Sequence, residues 1–97
     1  MPVMSFLSRM TVHADKEQQF IECCKTLTEK AVVYEPELLY FRFYKLREPL
    51  SYAVFESFLN EEAEHAHQQT EHFKQIAPKL IECLDGPYVR EYLDPLE

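Results

Sequence analysis

Two strand-like stretches without a polar face constrain this chain most. "LLYFRFYKL" (residues 38–46) and "YAVFESF" (residues 52–58), separated by "REPLS", are rich in aromatic side chains and carry apolar groups at both alternating parities. They read as the arms of a hairpin whose sheet needs cover on both sides. The opening stretch "VMSFLSRMTV" (3–12) behaves alike, with Met4, Phe6, Ser8, Met10 and Val12 on one face and Val3, Ser5, Leu7, Arg9 and Thr11 on the other.

Between and after these strands the period changes. Asp15 is the expected cap of a helix with apolar residues at Phe20, Cys24, Leu27 and Ala31, closing near "YEP" because Pro36 disfavours helical geometry in the residue before it. Asn60, followed by two acids, caps a second helix, and Thr70 caps a further piece beginning "EHFK". Pro78 then either kinks that piece or opens a new segment, "PKLIECL", ending before Gly86. The tail "PYVREYLDPL" alternates again and supplies a last strand.

The resulting order, β-α-β-β-α-β, predicts an α+β, ferredoxin-like split fold with a four-stranded antiparallel sheet and helices on one face. With 97 residues it forms a single domain over 1–97. The other sheet face, carrying Leu7, Tyr40 and Tyr44, is most economically covered by a second copy, so a homodimer is expected.

Composition narrows the function. A net charge of -7 opposes binding to nucleic acid or to anionic membrane, since both need clustered Lys and Arg. No apolar run approaches the roughly 20 residues of a membrane span, and the N-terminal segment lacks the pattern of a signal peptide, so a cytoplasmic location is expected. Three cysteines, two of them adjacent at Cys23 and Cys24, fit reduced thiols that pack as small hydrophobes.

"HAHQQTEH" (65–72) holds three of the four histidines. On a continuous helix His65 and His67 point to opposite sides, and zinc motifs on helices favour a four-residue step, so no metal site is expected. If Thr70 caps a helix, His72 lies in its first turn, where the dipole favours neutral imidazole, a form able to act as a base. A purely structural role for His67 and His72, holding the turn between two helical pieces, stands beside that reading. Ser8, a hydroxyl among apolar neighbours, needs a partner from backbone, water or substrate.

The chain resembles the antibiotic biosynthesis monooxygenase family along nearly its whole length. The marks are "SRMTV" followed by a helix rich in Glu and Gln, "YEP", "FESF", "AHQQTEHFK" and "GPYVREYLDPL". The most specific is the fourth, where an Ala-His pair, a small hydroxyl residue and His-Phe fall on Ala66, His67, Thr70, His72 and Phe73. The chain departs from the family pattern at Glu37 and Leu38, where Gly-Cys is common, and at Phe58, where Trp is common. The haem-degrading branch has a pocket Asn, a pocket Trp and a haem-ligating His where this chain has Ser8, His67 and about Ala77, and haem is therefore not carried over.

The resemblance implies a dimeric α/β barrel and a small cofactor-independent monooxygenase that oxidises an aromatic, quinol-like or polyketide-like small molecule with dioxygen. It points to His72, with His67, as catalytic groups that take a proton from the substrate, and Phe73 follows from the same matched segment; the strand face assigned to the helices adds Ser8, Phe6 and Phe58 as substrate-binding residues, with core packing the competing role of each aromatic. No cofactor and no metal are implied. Two alternatives stay open: a non-catalytic ligand-binding or structural dimer, and an isomerase of a small carbonyl compound using the same base.

Overall fold

The computed structural model describes residues 3–96. Its elements are β1 (Met4–Thr11), a 3₁₀ turn (Ala14–Lys16) running into α1 (Glu17–Tyr34), β2 (Leu38–Lys45), β3 (Ser51–Phe58), α2 (Glu61–Gln68), α3 (Glu71–Glu82) and β4 (Val89–Leu93). All pairings are antiparallel and the sheet order is β2-β3-β1-β4. This is the ferredoxin-like α+β arrangement expected from the order of periodicities.

The inner sheet face takes Phe6, Ser8 and Met10 from β1, with Phe41, Tyr52, Val54 and Phe58 from the hairpin, all buried. Against it pack the α1 residues Phe20, Cys24, Leu27 and Ala31, which are the predicted stripe, and Ala77 and Leu80 of α3. Cys83 adds a third thiol to the two of α1, and all three are free. Burial pushes the Cys23, Cys24 and Cys83 thiols up, so they stay protonated and serve as packing groups.

Two local readings change. Asp15 does not cap α1: it lies inside the 3₁₀ turn, whose Lys16 N–H donates to the His13 carbonyl at 3.0 Å, and no side chain caps this end. Pro78 opens no new segment, because it sits exposed inside α3 and the helix continues to Glu82. In β2 the register slips between Leu38 and Tyr40, a bulge that turns Leu39 and Tyr40 outward and returns Phe41 to the inner face.

The outer sheet face carries Leu7, Tyr40, Phe55, Val89 and Leu93, of which Val89 is 59% and Leu93 43% exposed. Among the described residues, no helix is long and apolar enough to cross a membrane.

Candidate active site

Three chain breaks bring the site together. Pro36 forces Glu35 out of the helix, to φ -120° and ψ 91°, so its carboxylate swings off the end of α1 toward α2 and α3. The Asn60 side chain accepts from the Ala63 N–H at 2.8 Å and starts α2, whose last turn presents His67. Thr70 both donates its hydroxyl to the His67 carbonyl at 2.8 Å and accepts from the Phe73 N–H at 3.2 Å, ending one helix and starting the next. His72 therefore lies in the first turn of α3, as the spacing predicts.

His67 is the centre of the assembly and is only 2% exposed. Its Nδ1 lies 2.8 and 2.9 Å from the two Glu35 oxygens, and its ring is walled by Phe41, Phe58 and Phe73. His72 reaches the same carboxylate from the other side, Nε2 to Oε2 at 2.5 Å, and stacks on Tyr34. Burial alone would raise the Glu35 carboxyl, but the hydrogen bonds from His67 and His72 and their charge outweigh it and hold it below its ordinary value. Glu35 is thus ionised at neutral pH and accepts only, so Nδ1 of His67 carries a proton toward it, and in the neutral form of the ring the lone pair is on Nε2.

His67, whose Nε2 lies 3.8 Å from Glu56 Oε1, lines with Glu56 a cleft between the inner sheet face and helices α2 and α3. Its empty volume, counted out to the open mouth, is about 620 Å³. The walls are apolar, from Met10, Leu27, Phe43, Val54, Leu80 and their neighbours, and the polar groups gather at one end: Ser8, Glu56, Glu64, His67, Gln68 and Arg90. Glu64 is itself held by Gln68, which donates to it from one turn further along α2.

Of the residues expected from sequence, Ser8, His67 and Phe73 line this cleft. His72 lies behind His67 on Glu35 and does not reach the lining. Phe6 and Phe58 are fully buried and stacked on each other at 6.3 Å, forming the floor beneath the His67 ring. Glu35, Glu56, Glu64 and Arg90 were not among the expected site residues. Glu56 had a signal: in "YAVFESF" it shares the inward parity of Tyr52, Val54 and Phe58, an odd place for a carboxylate.

Glu35, His67 and His72 also offer one ligand atom each within 4.8 Å of one another, a two-His, one-carboxylate set. Helix spacing relates the histidines only to each other, whereas the carboxylate of this set arrives from the end of α1. As placed, His72 Nε2 and Glu35 stand at 2.5 Å, closer than the roughly 3 Å or more between ligands of one transition-metal ion at ~2.1 Å, so a bound ion would have to part them. The contact is that of a hydrogen bond.

The fold and the His-carboxylate cluster beside an apolar cleft define the class: a small ferredoxin-like α+β protein with a candidate acid-base site. Residues 5–79 match the antibiotic biosynthesis monooxygenase family, and the chain belongs to it. A conserved protein from Methanosarcina mazei Go1 is similar at 27% identity and TM-score 0.87, over 97% of this chain and 93% of that one. A candidate antibiotic biosynthesis monooxygenase from Caulobacter crescentus CB15 is similar at 25% identity and TM-score 0.92, over 99% and 92%. A Nitrosomonas europaea protein, at 18% identity and TM-score 0.89 over 97% and 90%, shares the fold. No curated protein matches the chain.

Proposed function

We propose that this protein is a small cofactor-independent monooxygenase that oxidises an aromatic, quinol-like or polyketide-like molecule with dioxygen, and that His67 is its proton acceptor. The observation that carries this reading is the two-sided environment of one imidazole. Nδ1 is held by an ionised Glu35, and Nε2 opens onto an apolar cleft. Glu35 and His72 act as positioning residues.

The chemistry follows from the groups present. A phenolic or activated C–H proton passes to His67 Nε2, and the apolar walls keep the resulting anion out of water. The anion gives one electron to dioxygen and the radical pair combines into a C–O bond. The second oxygen atom leaves as water with the two hydrogens the substrate has lost, so the substrate is its own reductant.

The exposed apolar residues of the outer sheet face support the further proposal that two copies pack sheet against sheet in a homodimer. Light scattering at micromolar concentration should give twice the chain mass, and a monomer would remove that part. The three free cysteines fit a reducing, cytoplasmic location.

Oxygen uptake with anthrone-like and dihydroxynaphthalene-like substrates, without added flavin, metal or haem, tests the main proposal. Uptake that falls in His67→Gln while the fold is kept supports it. Binding without uptake by any substrate would leave a ligand-binding dimer, and turnover of a carbonyl compound without oxygen uptake would indicate an isomerase.

A further inference from the structure

Glu56 is buried without a partner. It sits on the inner face of β3 with Phe6 and Phe41 as its cross-strand neighbours, and it is 9% exposed. Among the described residues it makes no hydrogen bond, and the one basic side chain within 4 Å of it is His67, Oε1 to Nε2 at 3.8 Å, beyond hydrogen-bond range. Every fully enclosed side-chain polar atom among the described residues does have a partner, so the Glu56 oxygens face the cleft they line.

The charged groups around Glu56 come from three elements: His67 and Glu64 of α2, Arg90 of β4, and Glu35 at the end of α1. Arg90 does not neutralise it by contact. Its guanidinium lies over the Phe6 ring at 3.9 Å, donates to the Tyr92 hydroxyl at 3.3 Å and stands 3.8 Å from Glu64. Burial pushes the Glu56 carboxyl up to about 7, against the pull of His67 and Arg90 and with the help of Glu64 and Glu35. A carboxyl so placed costs free energy unless something supplies its missing hydrogen bond.

We infer that Glu56 is a second acid-base group of this cleft, acting with His67 on a ligand that carries two oxygen functions on neighbouring carbons, at least one of them a hydroxyl. The inference rests on the role of His67 proposed above and adds to it the second residue and the spacing of the ligand's oxygens. Two groups 3.8 Å apart are matched by two oxygens about one hydrogen-bond length apart, each at ~2.8 Å from its own partner. Oxygens at opposite ends of a ring point away from each other and cannot meet both groups. The hydroxyl facing His67 gives its proton to Nε2, and the neutral Glu56 carboxyl keeps its proton while donating an O–H hydrogen bond to the other oxygen, so one proton moves, to His67, and the ligand is left as a hydrogen-bonded anion.

The test is anaerobic binding of 2,3-dihydroxynaphthalene and its 1,5 isomer, equal in size and differing in oxygen spacing, to the full chain and to Glu56→Gln and Glu56→Asp. The 2,3 isomer should bind about tenfold more tightly to the unsubstituted protein, an affinity ratio expected when one polar contact is made by only one ligand. In Glu56→Gln the preference should shrink to about twofold, and the pH dependence of 2,3-isomer affinity between about pH 6 and 8 should vanish. Glu56→Asp, which withdraws the carboxyl, should fall between, and binding of the 1,5 isomer should change less than about twofold in either variant. Equal affinities, no binding of the 2,3 isomer, or a preference that survives in Glu56→Gln would overturn the inference. A Glu56-dependent preference without oxygen uptake by any substrate would remove the monooxygenase reading alone, and uptake without a preference would remove this one alone.

Discussion

Glu35 and Glu56 flank the same imidazole, and their surroundings differ in every respect that matters. Glu35 stands on the Nδ1 side, accepts from two histidines, and is held below its ordinary range. Glu56 stands on the Nε2 side, accepts from none, and is pushed up to about 7. The saturated carboxylate anchors the ring and sets its tautomer. The unsaturated one is left over for whatever enters the cleft.

The largest effect should come from the ring between them. His67→Gln should lower oxygen-uptake kcat by about 10²- to 10⁴-fold, the usual contribution of a positioned base, with a melting temperature loss of only a few degrees. A kcat within twofold of the unsubstituted protein would place the base elsewhere.

Removing the anchor should cost the fold more than removing the free group. Glu35→Ala leaves two buried imidazoles without their acceptor and should destabilise by about 3 kcal/mol in denaturant unfolding. Equal stability would mean that His67 and His72 find other partners.

The two carboxyls should also give stability opposite dependences on pH. For Glu35 the folded form is the more acidic, so its contribution is complete above the ordinary carboxylate range and is lost as pH falls through its lowered folded value. For Glu56 the unfolded chain ionises first, at about 4.3, and the folded one near 7. Stability therefore declines as pH rises through that window, by on the order of 3 kcal/mol, and is then flat. Glu56→Gln should abolish the decline and be more stable than the unsubstituted protein at about pH 8. Unfolding curves at about pH 5 and 8 for both proteins read this directly, and parallel slopes would contradict the assigned environment.

His72→Gln removes one of two donors to Glu35 and should cost about 1 kcal/mol and roughly tenfold in kcat, because His67 keeps its own bond. Smallest of all, excess zinc or nickel should shift the melting temperature by less than about 1 °C, as binding to the folded state alone would raise it. A clear shift that Glu35→Gln abolishes would turn the anchor into a metal site.

Much of this architecture is written in local patterns. Alternation in "VMSFLSRMTV", the Phe20-Cys24-Leu27-Ala31 stripe and the caps at Asn60 and Thr70 each depend on residues within a few positions of one another, and each is realised. The bulge at Leu39 and the 3₁₀ turn that takes Asp15 out of its capping place are exceptions, because strand pairing and the approach to α1 decide them.

The site divides along the same line. Local sequence put a histidine on each side of a helix break and the Ser8 hydroxyl on an apolar strand face, the resemblance pointed to His67, His72 and Phe73, and of these the cleft brings together Ser8, His67 and Phe73. That His67 rather than His72 meets the cleft was decided by Glu35, which lies 32 and 37 residues from the two histidines and arrives only when α1 packs beside α3. The unpartnered state of Glu56 has the same origin. Parity alone turns it inward, but whether a partner waits there depends on α2 and β4 closing over it. Backbone periodicity is a property of neighbours in sequence, whereas a hydrogen bond between side chains needs two atoms within about 3 Å, and only the folded chain sets that distance.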